Sequence, residues 1–146
     1  MNTHSPHKTN LEDSKIDVKI KLATLWASVT LCYLYGDYFE LYVPGKVKGL
    51  IDGHNLLNDP RKLLGASLLL AIPAVMVGLS VLLKPKLNRL LNLIFGIFYT
   101  LIMLLIAFTS FDSWRAFYVF LALTESAITI LIVLLYAWKW PKQKLS

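Results

Sequence analysis

One cysteine, three histidines and long stretches with almost no charge set the first limits on this 146-residue sequence. Cys32 stands alone, so neither an intrachain disulfide nor a Cys-x-x-Cys redox pair can form. With no basic residue near it in sequence, it reads as a small buried filler rather than a reactive thiol. His4, His7 and His54 all lie outside the hydrophobic runs, which excludes haem ligation inside a membrane. The Met1–Asn10 segment that carries His4 and His7 is polar and expected to be disordered, and the pair lacks further ligands, so no metal site is assigned. The sequence also lacks a P-loop, a His-Glu-x-x-His pair, a Gly-rich dinucleotide turn and a Gly-x-Ser-x-Gly elbow. No catalytic residue and no cofactor is therefore assigned.

What is present is apolar. Hydrophobic residues make up 56% of the chain, and the mean hydropathy is +0.57, too high for an ordinary water-soluble domain. The weakly charged runs are about 20 residues long, the length a helix needs to cross a hydrocarbon core of roughly 30 Å. The fold class read from them is all-α, a four-helix transmembrane bundle. Residues 1–21 form a tail and the start of the first helix, 22–140 a membrane domain, and 141–146 a second tail. The spans are placed at about 22–43, 63–83, 89–110 and 114–138. The first 21 residues lack the apolar stretch of a signal peptide, so the first span is expected to be retained.

Local signals delimit the spans. Ser14-x-x-Asp17 resembles a capping box ahead of the first, and Pro44-Gly45 ends it. Residues 46–58 read as a polar loop in which Val47, Leu50 and Ile51 can lie on the membrane surface. Asp59-Pro60 starts the second span, with Asp as cap and Pro at the first helical position. Pro73 lies inside that span and deprives the Leu69 carbonyl of its amide donor, which predicts a bend. Lys84-Pro85-Lys86 and residues 111–113, with Asp112 as a cap, make short turns. Such turns imply that the second, third and fourth spans pack as antiparallel neighbours. Ser67, Ala71, Ala74 and Gly78 form a stripe of small residues that lets helices approach closely. Asn92, Gly96, Tyr99 and Met103 form a comparable stripe on the third span and can complete the wall of an interior pocket.

The basic residues set an orientation. Ten of the 15 Lys and Arg, among them Lys8, Lys84, Arg89, Lys142 and Lys144, fall on the side of the two termini. Lys46, Lys48, Arg61, Lys62 and Arg115 fall on the other. The positive-inside bias then makes both termini cytoplasmic. The net charge of +6 flanks hydrophobic runs instead of forming one basic face, so nucleic acid is not a partner.

Three acids fall at membrane depth, where a carboxylate is expensive and marks a functional site by default. Trp26, Thr30, Tyr33, Asp37 and Glu40 recur every three or four residues and form one polar stripe on the first span. Asp37 lies roughly 9 Å from the outer end of that span. Glu125 lies roughly 16 Å inside Trp114, near the bilayer centre. No Lys or Arg lies in the interior of a span to pair with it, so desolvation favours its protonated form. Asp37, Glu125, Glu40 and Tyr33 are the candidate ligand- or proton-binding residues, in a pocket between the first and fourth spans. The competing reading gives Glu125 a Tyr or Thr partner across the bundle, and Asp37 and Glu40 an ion pair with Arg115 or Lys46.

The run YLYGDYFELYVPGKV, with DPRKLLGASLLLAIPAVMVGLSVLL and KPKLNRLLNLIFGIFYT, resembles an uncharacterised family of small four-span bacterial membrane proteins, a domain of unknown function. The resemblance implies a multi-pass protein of the bacterial inner membrane and brings no catalytic residues with it. Similarity to DoxX-like proteins is confined to size and span number. The first functional expectation is a non-enzymatic protein of the lipid bilayer. It would bind a small amphipathic, lipid-like or quinone-like ligand, or a partner protein. A proton-coupled small-solute transporter acting as a homodimer is second, and a membrane enzyme of quinone or lipid chemistry third.

Overall fold

The computed structural model describes residues 14–110 and 113–141. The expectations made for the Met1–Asn10 segment, for His4 and His7, and for Asp112 as a cap lie outside the described residues. So do Lys8, Lys142 and Lys144. Among the described residues the protein is all helical, without a strand. The helices are α1 (Val18–Glu40), α2 (Lys46–Ile51), α3 (Pro60–Leu82), α4 (Pro85–Thr109) and α5 (Ala116–Leu131). A 3-10 turn at Ser113–Arg115 leads into α5, and a π-helical stretch at Ile132–Ala137 continues it.

The helix starts follow local chemistry. Asp17, not Ser14, caps α1, its carboxylate accepting from the Lys19 amide at 2.7 Å. Asp59 caps α3 in the same way at 2.7 Å, with Pro60 in the first turn as expected. Gly45 at φ 79° occupies the left-handed region and reverses the chain after α1. The segment read as a loop then forms the short helix α2, which is a correction. Val47, Leu50 and Ile51 stand three and four apart there, and all are exposed.

Among the described residues three helices are long and apolar enough to cross a membrane: Pro60–Leu82, Pro85–Thr109 and Ser113–Ala137. Four spans were expected. At 23 residues α1 is as long as α3, but Trp26, three tyrosines, Asp37, Glu40 and several hydroxyls make it more polar. Most of the surface of the three apolar helices points outward, with Leu82, Phe108 and Phe120 each at least two-thirds exposed. Hydrocarbon solvates such a surface; water does not.

Packing runs α3, α1, α5, α4 in order of adjacency. Close backbone approaches between α3 and α4 are few, so these two are not the tight neighbours their short turn implied. The small-residue stripe of α3 takes no part in this packing: Ser67, Ala71, Ala74 and Gly78 are all exposed. Leu69, Pro73, Met76 and Ser80 share its periodicity two residues on, roughly 200° around the helix, and they face inward. Two stripes of equal period compete in this sequence, and the bulkier one wins the interior.

The two halves of the bundle differ. In the half holding the start of α1, a polar chain crosses three helices. Trp26 Nε1 donates to Asn92 Oδ1 at 2.7 Å, and Asn92 Nδ2 to Asn88 Oδ1 at 2.7 Å. Asn88 Nδ2 in turn donates to the Ser80 carbonyl. Leu22, Val29, Met76 and Ile132 pack around this chain. Cations close the helix C-termini at that end, opposite the negative ends of the dipoles. Lys19 Nζ donates to the Val81 carbonyl at 3.1 Å, and Arg89 Nε to that of Ala137 at 2.9 Å.

At Gly96, α4 meets the π-helical stretch so closely that a Cβ would stand 2.5 Å from Val133 Cγ2. Gly96→Ala is expected to lower stability by about 1–3 kcal/mol through overpacking. Reversible denaturant titration in mixed micelles reads the change, and an unchanged midpoint would show that the helices are not held at this separation.

Candidate functional site

The other half of the bundle is hollow. A cavity of about 200 Å³ lies between α1, α3, α4 and α5, in the half that carries the 41–59 connection and the turn before α5. For scale, a void of roughly 150 Å³ in an apolar protein core accepts one benzene ring. The expectation was a pocket between the first and fourth spans, with the third-span stripe completing its wall; α3 supplies a further wall. Ala66, Leu69 and Leu70 come from α3, and Tyr99, Met103 and Ile106 from α4. Where α3 and α4 stand apart, Leu70 is 39% exposed, so this wall is thin.

Tyr99 makes the floor. Its hydroxyl donates to the Leu69 carbonyl, the one that Pro73 leaves without an amide donor. Trp26 packs edge-on against the Tyr99 ring at 6.0 Å and seals the cavity from the filled half. Tyr33 meets the same ring edge-on at 6.1 Å from above. Of the third-span stripe, Tyr99 and Met103 line the cavity, Asn92 satisfies Trp26, and Gly96 admits α5.

Glu125 reaches the cavity from α5 at 3% exposure, and its Oε2 has no hydrogen-bond partner. The buried Tyr33 hydroxyl, also unpartnered, belongs to the same cavity. The cross-bundle bond that the structural reading of Glu125 required is absent. Thr129, one turn on, donates instead to the Glu125 backbone carbonyl at 3.0 Å. Asp37 also lines the cavity but is exposed, which places it at the rim. It lies within electrostatic reach of Glu125.

Glu40 stands apart. It is absent from the cavity wall and pairs with Lys46 Nζ at 2.8 Å, which ties the end of α1 to the start of α2. Thr30 is also withdrawn from the expected polar stripe, its hydroxyl donating to the Trp26 carbonyl of its own helix. Tyr38 and Tyr42, neither of them on the cavity wall, share a hydroxyl–hydroxyl bond of 2.8 Å. The α3 wall was only faintly legible in the sequence. Its one signal was the Leu69 carbonyl freed by Pro73, which marks a position where a donor must come from another helix. No group of three or more potential metal ligands exists among the described residues.

A buried carboxyl oxygen without a partner opposes folding, since its desolvation is not offset. Glu125→Leu is therefore expected to raise stability by about 1–3 kcal/mol. A residue kept for structure would lose stability on the same change. Denaturant titration of the two proteins side by side decides between these outcomes.

No curated protein and no solved structure matches the chain. A family model does match, over residues 12–146, which takes in all four long helices and the cavity. The chain belongs to that family, described as a family of unknown function, DUF6326.

Proposed function

We propose that this is a multi-pass protein of the bacterial inner membrane that binds a small amphipathic or lipid-like ligand in the cavity between its four long helices. In this reading α1 is the fourth span. Its polar groups are tolerable because they turn to the cavity, to Asn92 or to their own backbone. Both termini are cytoplasmic, by the excess of Lys and Arg beside them. The cavity then lies in the outer half of the membrane.

The observation that carries the proposal is that two residues lining one ring-sized hollow, Glu125 and Tyr33, each hold a buried polar atom without a partner, Oε2 and the hydroxyl. Bundle interiors seldom leave two such groups unsatisfied unless a ligand or ordered water completes them. The apolar remainder of the wall suits the body of the ligand, and the thin wall between α3 and α4 suits entry from the bilayer. Binding is favoured over conduction because the polar chain from Trp26 to Ser80 fills the other half.

Ala66 sits on the cavity wall, so Ala66→Phe fills the hollow without disturbing α3. Native mass spectrometry of the protein released from membranes is expected to show a bound small molecule that Ala66→Phe loses. An adduct equally abundant in both proteins would place the ligand elsewhere. For orientation, a reporter enzyme fused after residue 146 is expected to be active in the cytoplasm, and one inserted near His54 outside it. The reverse pattern would put the cavity in the inner leaflet.

A further inference from the structure

Resting on that binding reading, we infer that the ligand is a lipophilic monocation, a ring-sized organic ammonium or similar onium group, held against Glu125 in exchange for a proton. The cavity contains two carboxyl groups, Glu125 inside and Asp37 at the rim, and no Lys or Arg on its wall. Lys46, within electrostatic reach of Asp37, is already engaged by Glu40. Glu125 lines the hollow, and its Oε2 is buried and unpartnered. A positive ligand supplies the countercharge that the protein withholds.

The rest of the wall fits the same chemistry. Tyr33, Tyr99 and Tyr118 come from three different helices, and aromatic faces around a desolvated cation attract it through their quadrupoles. Leu69, Met103 and Leu121 provide apolar surface for the substituents. The volume of about 200 Å³ suits one ring with a small onium group. A bare metal ion does not fit, because it needs several oxygen ligands and this wall offers few. A phosphate or carboxylate head would meet two acids and no base. A neutral head could satisfy Glu125 and Tyr33 but would gain nothing from Asp37.

The exchange balances in charge: the protonated Glu125 carboxyl releases one proton as one cation binds. The other titratable groups on the wall are Cys32, Tyr33 and Asp37 on α1, Tyr99 on α4 and Tyr118 on α5, while α3 contributes none. Of these Asp37 is the one other carboxyl, and it stands at the exposed rim. Linkage fixes the sign. Affinity for the cation rises by about tenfold per pH unit while Glu125 is protonated in the free protein, and levels off once it is ionised.

Benzyltrimethylammonium and its neutral isostere neopentylbenzene test the inference, since they differ only in nitrogen against carbon. Binding to the full chain in micelles is measured by equilibrium dialysis against matched protein-free micelles across a pH series. The cation is expected to bind at least tenfold tighter than the isostere, to show the pH slope, and to weaken at least tenfold in Glu125→Gln. The isostere is expected to bind Glu125→Gln as it binds the parent, which shows the cavity intact in the variant. If the isostere binds while the cation binds no better, or if Glu125→Gln leaves cation binding unchanged, the charge inference is overturned and the cavity stands. If neither compound binds, the binding reading falls with it.

Discussion

The Leu69 carbonyl is the point on which the architecture turns. Pro73 removes its amide donor, and in a hydrocarbon solvent no water can replace it. The donor comes from Tyr99 on another helix. This bond joins α3 to α4, whose backbones otherwise seldom approach. It also fixes the Tyr99 ring across the interior, where it divides a filled half from a hollow one.

Below that ring every polar group but one finds a partner. The Trp26 indole, Asn92, Asn88 and the Ser80 carbonyl form a chain whose members satisfy one another, and only the Ser80 hydroxyl is left over. Above it the rule is broken at Glu125 and Tyr33. The contrast argues against general looseness in the bundle. Evenly poor packing would scatter such orphans, whereas two of the three among the described residues share one chamber with an aromatic floor and an acidic rim. Stability is sacrificed there, and the surrounding helices hold the arrangement.

Charge is distributed on the same plan. Lys19 and Arg89 reach helix C-termini, and Lys46 holds Glu40. Each of these cations has a local task at an end of the bundle, and none enters the chamber. Glu125 therefore meets the low-dielectric interior with no compensating base among the described residues that line the cavity.

The sequence by itself determined the helical class, the membrane-length runs, the caps at Asp17 and Asp59, and the presence of acids at depth. Those are properties of composition and of chemistry within a turn or two, so they survive without knowledge of neighbours. It also marked Leu69 as a carbonyl in need of a donor, and Tyr33, Asp37 and Glu125 as costly enough to matter. Which stripe of α3 turned inward was decided by tertiary packing, because the small-residue stripe and the Leu69–Ser80 stripe have the same period and sequence cannot rank them. Packing also gave Glu40 and Asp37, one turn apart on α1, different partners: the chain reversal at Gly45 brings Lys46 into an ion pair with the first, while the second lines the cavity. That Tyr99 would meet Leu69, and that a hollow would remain above it, depended on four helices converging at one depth, which no local pattern encodes.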